Sequence, residues 1–88
     1  MGTVGVVYRL MPTSVDVDMK AMAEGVRGAV PAEAKIRGMQ VKDIAYGLKA
    51  LLVMVQMDDK GGVVDKVEVA FKAIPHVENV EVIDTTLL

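Results

Sequence analysis

The chain has 88 residues, of which 52% are apolar and only 3% aromatic, and it carries a net charge of −2 with no cysteine. A length of this order makes one domain with one core, and the missing thiols exclude a disulfide framework, a thiolate zinc site and an iron–sulfur cluster. The slightly acidic balance of 10 basic against 12 acidic residues speaks against direct nucleic-acid binding, which needs a basic face.

The first residues, Met1 and Gly2, show no basic leader pattern, and the apolar run Ala50 to Met57 is too short to span a bilayer as a helix. A cytoplasmic location without membrane contact is the expectation. Thr3 to Met11 alternates, with Val4, Val6, Tyr8 and Leu10 on one face, and this period predicts a half-buried strand. Pro12 stops it. Ser14 and Asp16 offer side-chain acceptors for a helix start, and Asp18 adds charge that suits a first helical turn. Met19, Met22, Ala23, Val26, Ala29 and Val30 then form one helical stripe. Gly25 and Gly28 inside it point to close packing on a sheet. Pro31 closes this helix, because a residue before proline disfavours helical backbone.

Ala34 to Val41 is predicted as a second strand. Its charges Lys35 and Arg37, with Lys42 just beyond, suit an edge position. Leu48 to Met57 is a third strand, apolar at nearly every position, which suits a central place in a sheet. Asp58 to Gly62 reads as a turn, with its acids and Asp65 favouring the start of a second helix. That helix carries the stripe Val63, Val67, Ala70, Phe71 and Ile74 and ends at Pro75. Val77 to Asp84 is the last strand.

The order β-α-β-β-α-β repeats itself at an offset of about 44 residues, with Met19 matching Val63 and Val30-Pro31 matching Ile74-Pro75. Two such split units predict an α+β, ferredoxin-like fold over residues 1–88, a four-stranded antiparallel sheet with both helices on one face. The first and third strands are central in that topology, and they are the two most apolar. An apolar open sheet face would mark an interaction surface, serving either a partner protein or a second copy.

Catalytic groups are few. His76 has no second metal-ligating neighbour and reads as a surface residue. Ser14 has no histidine near it in sequence and sits in a capping context. Asp58 and Asp59 match neither a calcium loop nor an acid/base pair. No cofactor, metal or covalent chemistry is expected. Tyr8, with Tyr46 just before the third strand, would be a meagre stacking set for an RNA-binding sheet. The pair Tyr46-Gly47 joins the two halves; on the residues alone the expectation is a ring folded over the core edge, the alternative being one that projects outward.

One resemblance covers essentially the whole chain. The opening Met1-Gly2, the segment Arg9 to Asp18, the segment Ile44-Ala45-Tyr46-Gly47-Leu48-Lys49-Ala50-Leu51, the pair Gly61-Gly62 with Asp65, and the stretch from Val80 to Leu88 resemble the archaeal elongation factor 1-beta family of guanine-nucleotide exchange factors. The resemblance implies a partner, the GTPase elongation factor 1-alpha in its GDP-bound form, on which the domain would loosen GDP and let GTP refill the site. It implies a partner-binding surface that includes Ala45, Tyr46, Gly47, Leu48 and Lys49, together with Thr85, Thr86, Leu87 and Leu88, and a protein that is a monomer when free.

Three departures stand out. Tyr46 holds a position that is usually phenylalanine in the family, and Asp43 stands where the family tends to have proline, which suggests a less rigid loop. Leu87 and Leu88 stand where relatives place a basic residue near the C-terminus, so magnesium displacement would fall to Lys49, to another element, or to distortion of the phosphate loop. The reading from a different class is a ligand-sensing ferredoxin-like module that dimerises through its open sheet face.

Overall fold

A computed structural model describes residues 2–58 and 62–87. Asp59, Lys60 and Gly61 of the expected turn, and the terminal Met1 and Leu88, lie outside the described residues. The elements run β1 (Thr3–Pro12), α1 (Met19–Ala29), β2 (Ala34–Ala45), β3 (Leu48–Asp58), α2 (Val63–Lys72) and β4 (Val77–Leu87). The sheet order is β2-β3-β1-β4, and each neighbouring pair is antiparallel. The fold is α+β with the ferredoxin-like order, and the two most apolar strands are the central ones.

The core lies between the sheet and the helices. Alternation places Val4, Val6, Tyr8 and Leu10 of β1 in it, facing the same way as Leu51, Val53, Val55 and Met57 of β3. The helical stripes supply Met22 and Val26 from α1 and Val63, Val67 and Phe71 from α2. Phe71 meets Tyr8 edge to face, with ring centroids 5.3 Å apart, an arrangement favoured by the quadrupoles of the two rings. The Tyr8 hydroxyl donates a hydrogen bond to the Val64 carbonyl at 3.0 Å, which satisfies the one polar atom this ring brings into the core.

Three local expectations are corrected. The α1 cap is Asp18, whose carboxylate accepts from the Lys20 amide at 2.9 Å. Ser14 instead accepts from the Asp16 amide at 3.3 Å, closing a small turn upstream of the helix. Strands β2 and β4 run on past Val41 and Asp84 to Ala45 and Leu87. The extra length is held by ladder bonds to β3 and β1, and its side chains are exposed, so burial left no alternating pattern there. Asp43 is therefore a strand residue opposite Lys49 and does not belong to a loop.

Gly25 and Gly28 also part company. A Cβ on Gly25 would lie 2.8 Å from Ile74 Cγ2, whereas one on Gly28 would meet nothing within 4 Å. The close packing is against the turn after α2, not against the sheet. Replacing Gly28 by alanine is expected to raise stability by about 0.5–1 kcal/mol through helix propensity. Replacing Gly25 by alanine should lower stability by about 1 kcal/mol, because the β-branched Ile74 has to shift. Thermal denaturation of the two variants checks this pair of opposite signs.

The edges are guarded. Register shifts fall at Arg37 of β2, between Ile36 and Gly38, and at Ile83 of β4, opposite the step from Val7 to Tyr8. Bulges on both outer strands, with charged side chains, discourage edge-to-edge pairing. On the open face Arg9 pairs with Glu81 across β1 and β4. Of the apolar residues there, Val7 and Leu52 are half exposed and Met54 is exposed. The open face is thus a mixed surface, less apolar than β3 alone suggests.

Candidate functional site

The β2–β3 connection is a hairpin with two residues between its strands, Tyr46 and Gly47. Ala45 pairs with Leu48, and Asp43 with Lys49. A loop this short takes positive φ at both central positions when its twist matches that of the strands. Tyr46 adopts φ 51 and Gly47 φ 81. Glycine does so freely. Tyrosine does not, and left-handed backbone costs an L-residue with a bulky side chain roughly 1–2 kcal/mol.

The Tyr46 ring gains no packing in exchange. Its relative exposure is 102%, so the outward arrangement holds and the ring does not fold over the core edge. Around it, Ile44 and Val41 are exposed apolar side chains, and Lys42 and Lys49 are exposed cations. The β1 partner of this region ends at Pro12, beside Val77. The tip of the hairpin therefore extends past the core as a two-stranded arm carrying an aromatic ring, aliphatic side chains and positive charge.

Thr85, Thr86 and Leu87 are also exposed, but they occupy the other end of the sheet. Leu87 pairs with Val4, and Val4 with Met57. From Leu48 to Met57, at about 3.3 Å per residue, β3 covers roughly 30 Å. The two groups of candidate contact residues are thus separated by most of the long axis of a molecule measuring 42 × 20 × 17 Å. Leu88 lies outside the described residues.

The other candidates are placed as follows. His76 is exposed, at a positive φ of 70 in the turn before β4, where its carbonyl accepts from the Thr13 amide at 3.0 Å. Asp65 sits in the first turn of α2. Tyr8 points to the helices, so the central strands bring no ring to the open face among the described residues. Burial, with Glu68 and then Asp65 adding negative potential, pushes the Tyr8 phenol up to about 12. Among the described residues no cluster of His, Cys, Asp or Glu could hold a metal ion, and no helix is long and apolar enough to cross a membrane.

The same end of the sheet that carries the hairpin also bears a cavity of about 540 Å³, between the β1–α1 loop, α1 and the turn after α2. No local sequence pattern signals it, because three separate segments build it.

Comparison with known proteins agrees with this frame. The family model described as the EF-1 guanine nucleotide exchange domain matches residues 5–88. The chain belongs to this family. It is 41% identical to Elongation factor 1-beta of Methanosarcina barkeri over 85 residues, 96% of each chain. It is 40% identical to Elongation factor 1-beta of Methanosphaerula palustris over 87 residues, 99% of each. The protein of the same name from Methanococcus maripaludis is 37% identical over 89 residues and the full length of both. The family supports a role as an exchange factor for the EF-1 system, and its archaeal members match this chain almost end to end.

Proposed function

We propose that this protein accelerates GDP release from elongation factor 1-alpha and its reloading with GTP, acting on the GDP-bound form without covalent chemistry. The observation that carries the reading is Tyr46, a fully exposed ring held at left-handed backbone on a projecting arm. Such a side chain contributes nothing to the fold that a smaller residue would not. Tyrosine is also among the residue types enriched at the centres of protein interfaces.

In this reading Ala45, Tyr46, Gly47, Leu48 and Lys49 form one contact and Thr85, Thr86, Leu87 and Leu88 the other. A stiff antiparallel sheet joins them, so the protein acts as a bar that meets its partner in two places. Binding of that kind favours a GTPase conformation in which the nucleotide is held less well, and exchange follows from the negative coupling of the two ligands. A tenfold faster release needs about 1.4 kcal/mol less hold along the exit path.

Leu87 and Leu88 offer no cation to a magnesium site, and Lys49 belongs to the hairpin contact at the other end. In this reading the contact made by Thr85 to Leu88 works by shape and packing against the phosphate-binding region.

The test is release of a fluorescent GDP analogue from elongation factor 1-alpha, with and without the protein. Release should speed up at least tenfold at saturating protein. An unchanged rate overturns the reading.

A further inference from the structure

The cavity beside the β1–α1 loop is not absorbed by the contacts assigned above. Its apolar lining comes from the buried Met22 and Ile74, the half-buried Val17 and the exposed Ala21. Met22 is 2% exposed and Ile74 7%, so these walls are fixed by the core. Gly25 keeps the wall tight, since it lets Ile74 approach the helix backbone.

The rim carries two carboxylates, Asp16 and Asp18, and among the described residues no lysine or arginine lines the cavity. Asp18 is held in place as the cap of α1, and the turn at Asp16 is fixed by its bond to Ser14. The Thr13–His76 backbone bond closes the opposite rim. A cavity of about 540 Å³ has room for a large side chain and its neighbours. Its chemistry suits an apolar group next to a positive charge.

Position then indicates the source of that group. Thr13 follows the last residue of β1, and His76 precedes the first residue of β4. The cavity thus opens at the end of the sheet from which the Tyr46 arm projects. A protein surface that holds the arm lies within reach of the cavity mouth.

We propose that this cavity receives an apolar side chain, flanked by a lysine or arginine, from the GTPase that the Tyr46 arm engages. The proposal rests on the exchange reading above. It makes the β1–α1 loop and the start of α1 a second anchor at the hairpin end, and the acidic rim sets the charge of the matching segment.

Affinity for elongation factor 1-alpha, together with stimulated GDP release, tests this in three single variants. Ala21→Phe fills the cavity from an exposed helix position and should raise Kd about tenfold or more, the effect expected of a blocked anchor pocket. Asp16→Lys reverses the rim charge and should raise Kd severalfold while weakening the dependence on salt. Tyr46→Ala is the control for the exchange reading.

If the unmodified protein neither binds the GTPase nor stimulates release, both proposals fall. If it does both and Tyr46→Ala impairs them while Ala21→Phe does not, only the cavity proposal falls. A loss in Ala21→Phe without one in Asp16→Lys overturns the cationic half. Should Ala21→Phe fold poorly, amide shifts of Val17 and Ala21 on titrating the GTPase into the unmodified protein decide the matter. Unmoved resonances overturn the proposal.

Discussion

Replacing Tyr46 by asparagine is expected to make the protein more stable and a poorer exchange factor. Asparagine followed by glycine is the favoured pair for a two-residue hairpin loop, because it accepts the left-handed backbone that tyrosine resists. The substitution relieves a cost of about 1 kcal/mol, which in a domain of this size raises the melting temperature by roughly 4–8 °C. No packing is lost, since the ring is fully exposed. Loss of an aromatic anchor from an interface costs about 2 kcal/mol or more, which corresponds to a fall in affinity for the GTPase of roughly thirtyfold. Thermal denaturation and the GDP-release assay measure the two effects separately. A lower melting temperature would mean that the ring supports the fold after all, and an unchanged exchange rate would remove Tyr46 from the interface. Opposite signs in the two assays are what a residue kept for function at the expense of stability should show.

Much of this architecture was legible because burial leaves a periodic trace. The alternation in β1, the continuous apolar run of β3 and the two helical stripes each record a face turned to the same core, and together they determine which strands lie inside. Where burial stops, so does the trace. Residues 42–45 of β2 and 85–87 of β4 are exposed strand, held by backbone ladders that any side chains would permit, so no side-chain pattern marks where these strands end. The cap of α1 is ambiguous in sequence for a related reason: Ser14, Asp16 and Asp18 can all accept from a backbone amide. Only the path of the loop decides which of them meets the helix.

The candidate site shows the same division. Tyr46-Gly47 between two strand patterns points to a tight turn, and the scarcity of rings in the chain draws the eye to Tyr46. The distance between that turn and Thr85–Leu87 follows from strand register, because Leu48 and Leu87 are tied to opposite ends of one ladder through Met57 and Val4. Register depends on pairing across the sheet, which no local pattern specifies. The cavity was hidden for a further reason. Met22 and Ile74 in its lining are core positions by periodicity, and its mouth forms only when the β1–α1 loop meets the turn after α2.

The buried phenol of Tyr8 gives the second large effect, seen in alkali. In the fold this group is pushed up to about 12, against about 10 in an unfolded chain. The neutral ring is therefore favoured by folding. The corresponding stability is complete below pH 10 and is lost as the pH climbs from about 10 to 12, because the unfolded state releases its proton first. A difference of this size amounts to about 3 kcal/mol at the upper limit, a large share of the roughly 4–13 kcal/mol expected for a domain of this length. Tyr8→Phe keeps the ring against Phe71 and loses the hydrogen bond to Val64. At neutral pH it should be less stable by about 1 kcal/mol. Above pH 10 the order should close and then reverse, since phenylalanine has no proton to lose. Urea denaturation of both proteins between pH 8 and 12 measures the difference, and taking that difference cancels every other group that titrates in the range. Parallel curves would show that the Tyr8 proton is not coupled to folding. A crossing near pH 11 would tie the alkaline limit of this fold to a single hydroxyl at the seam between β1 and α2.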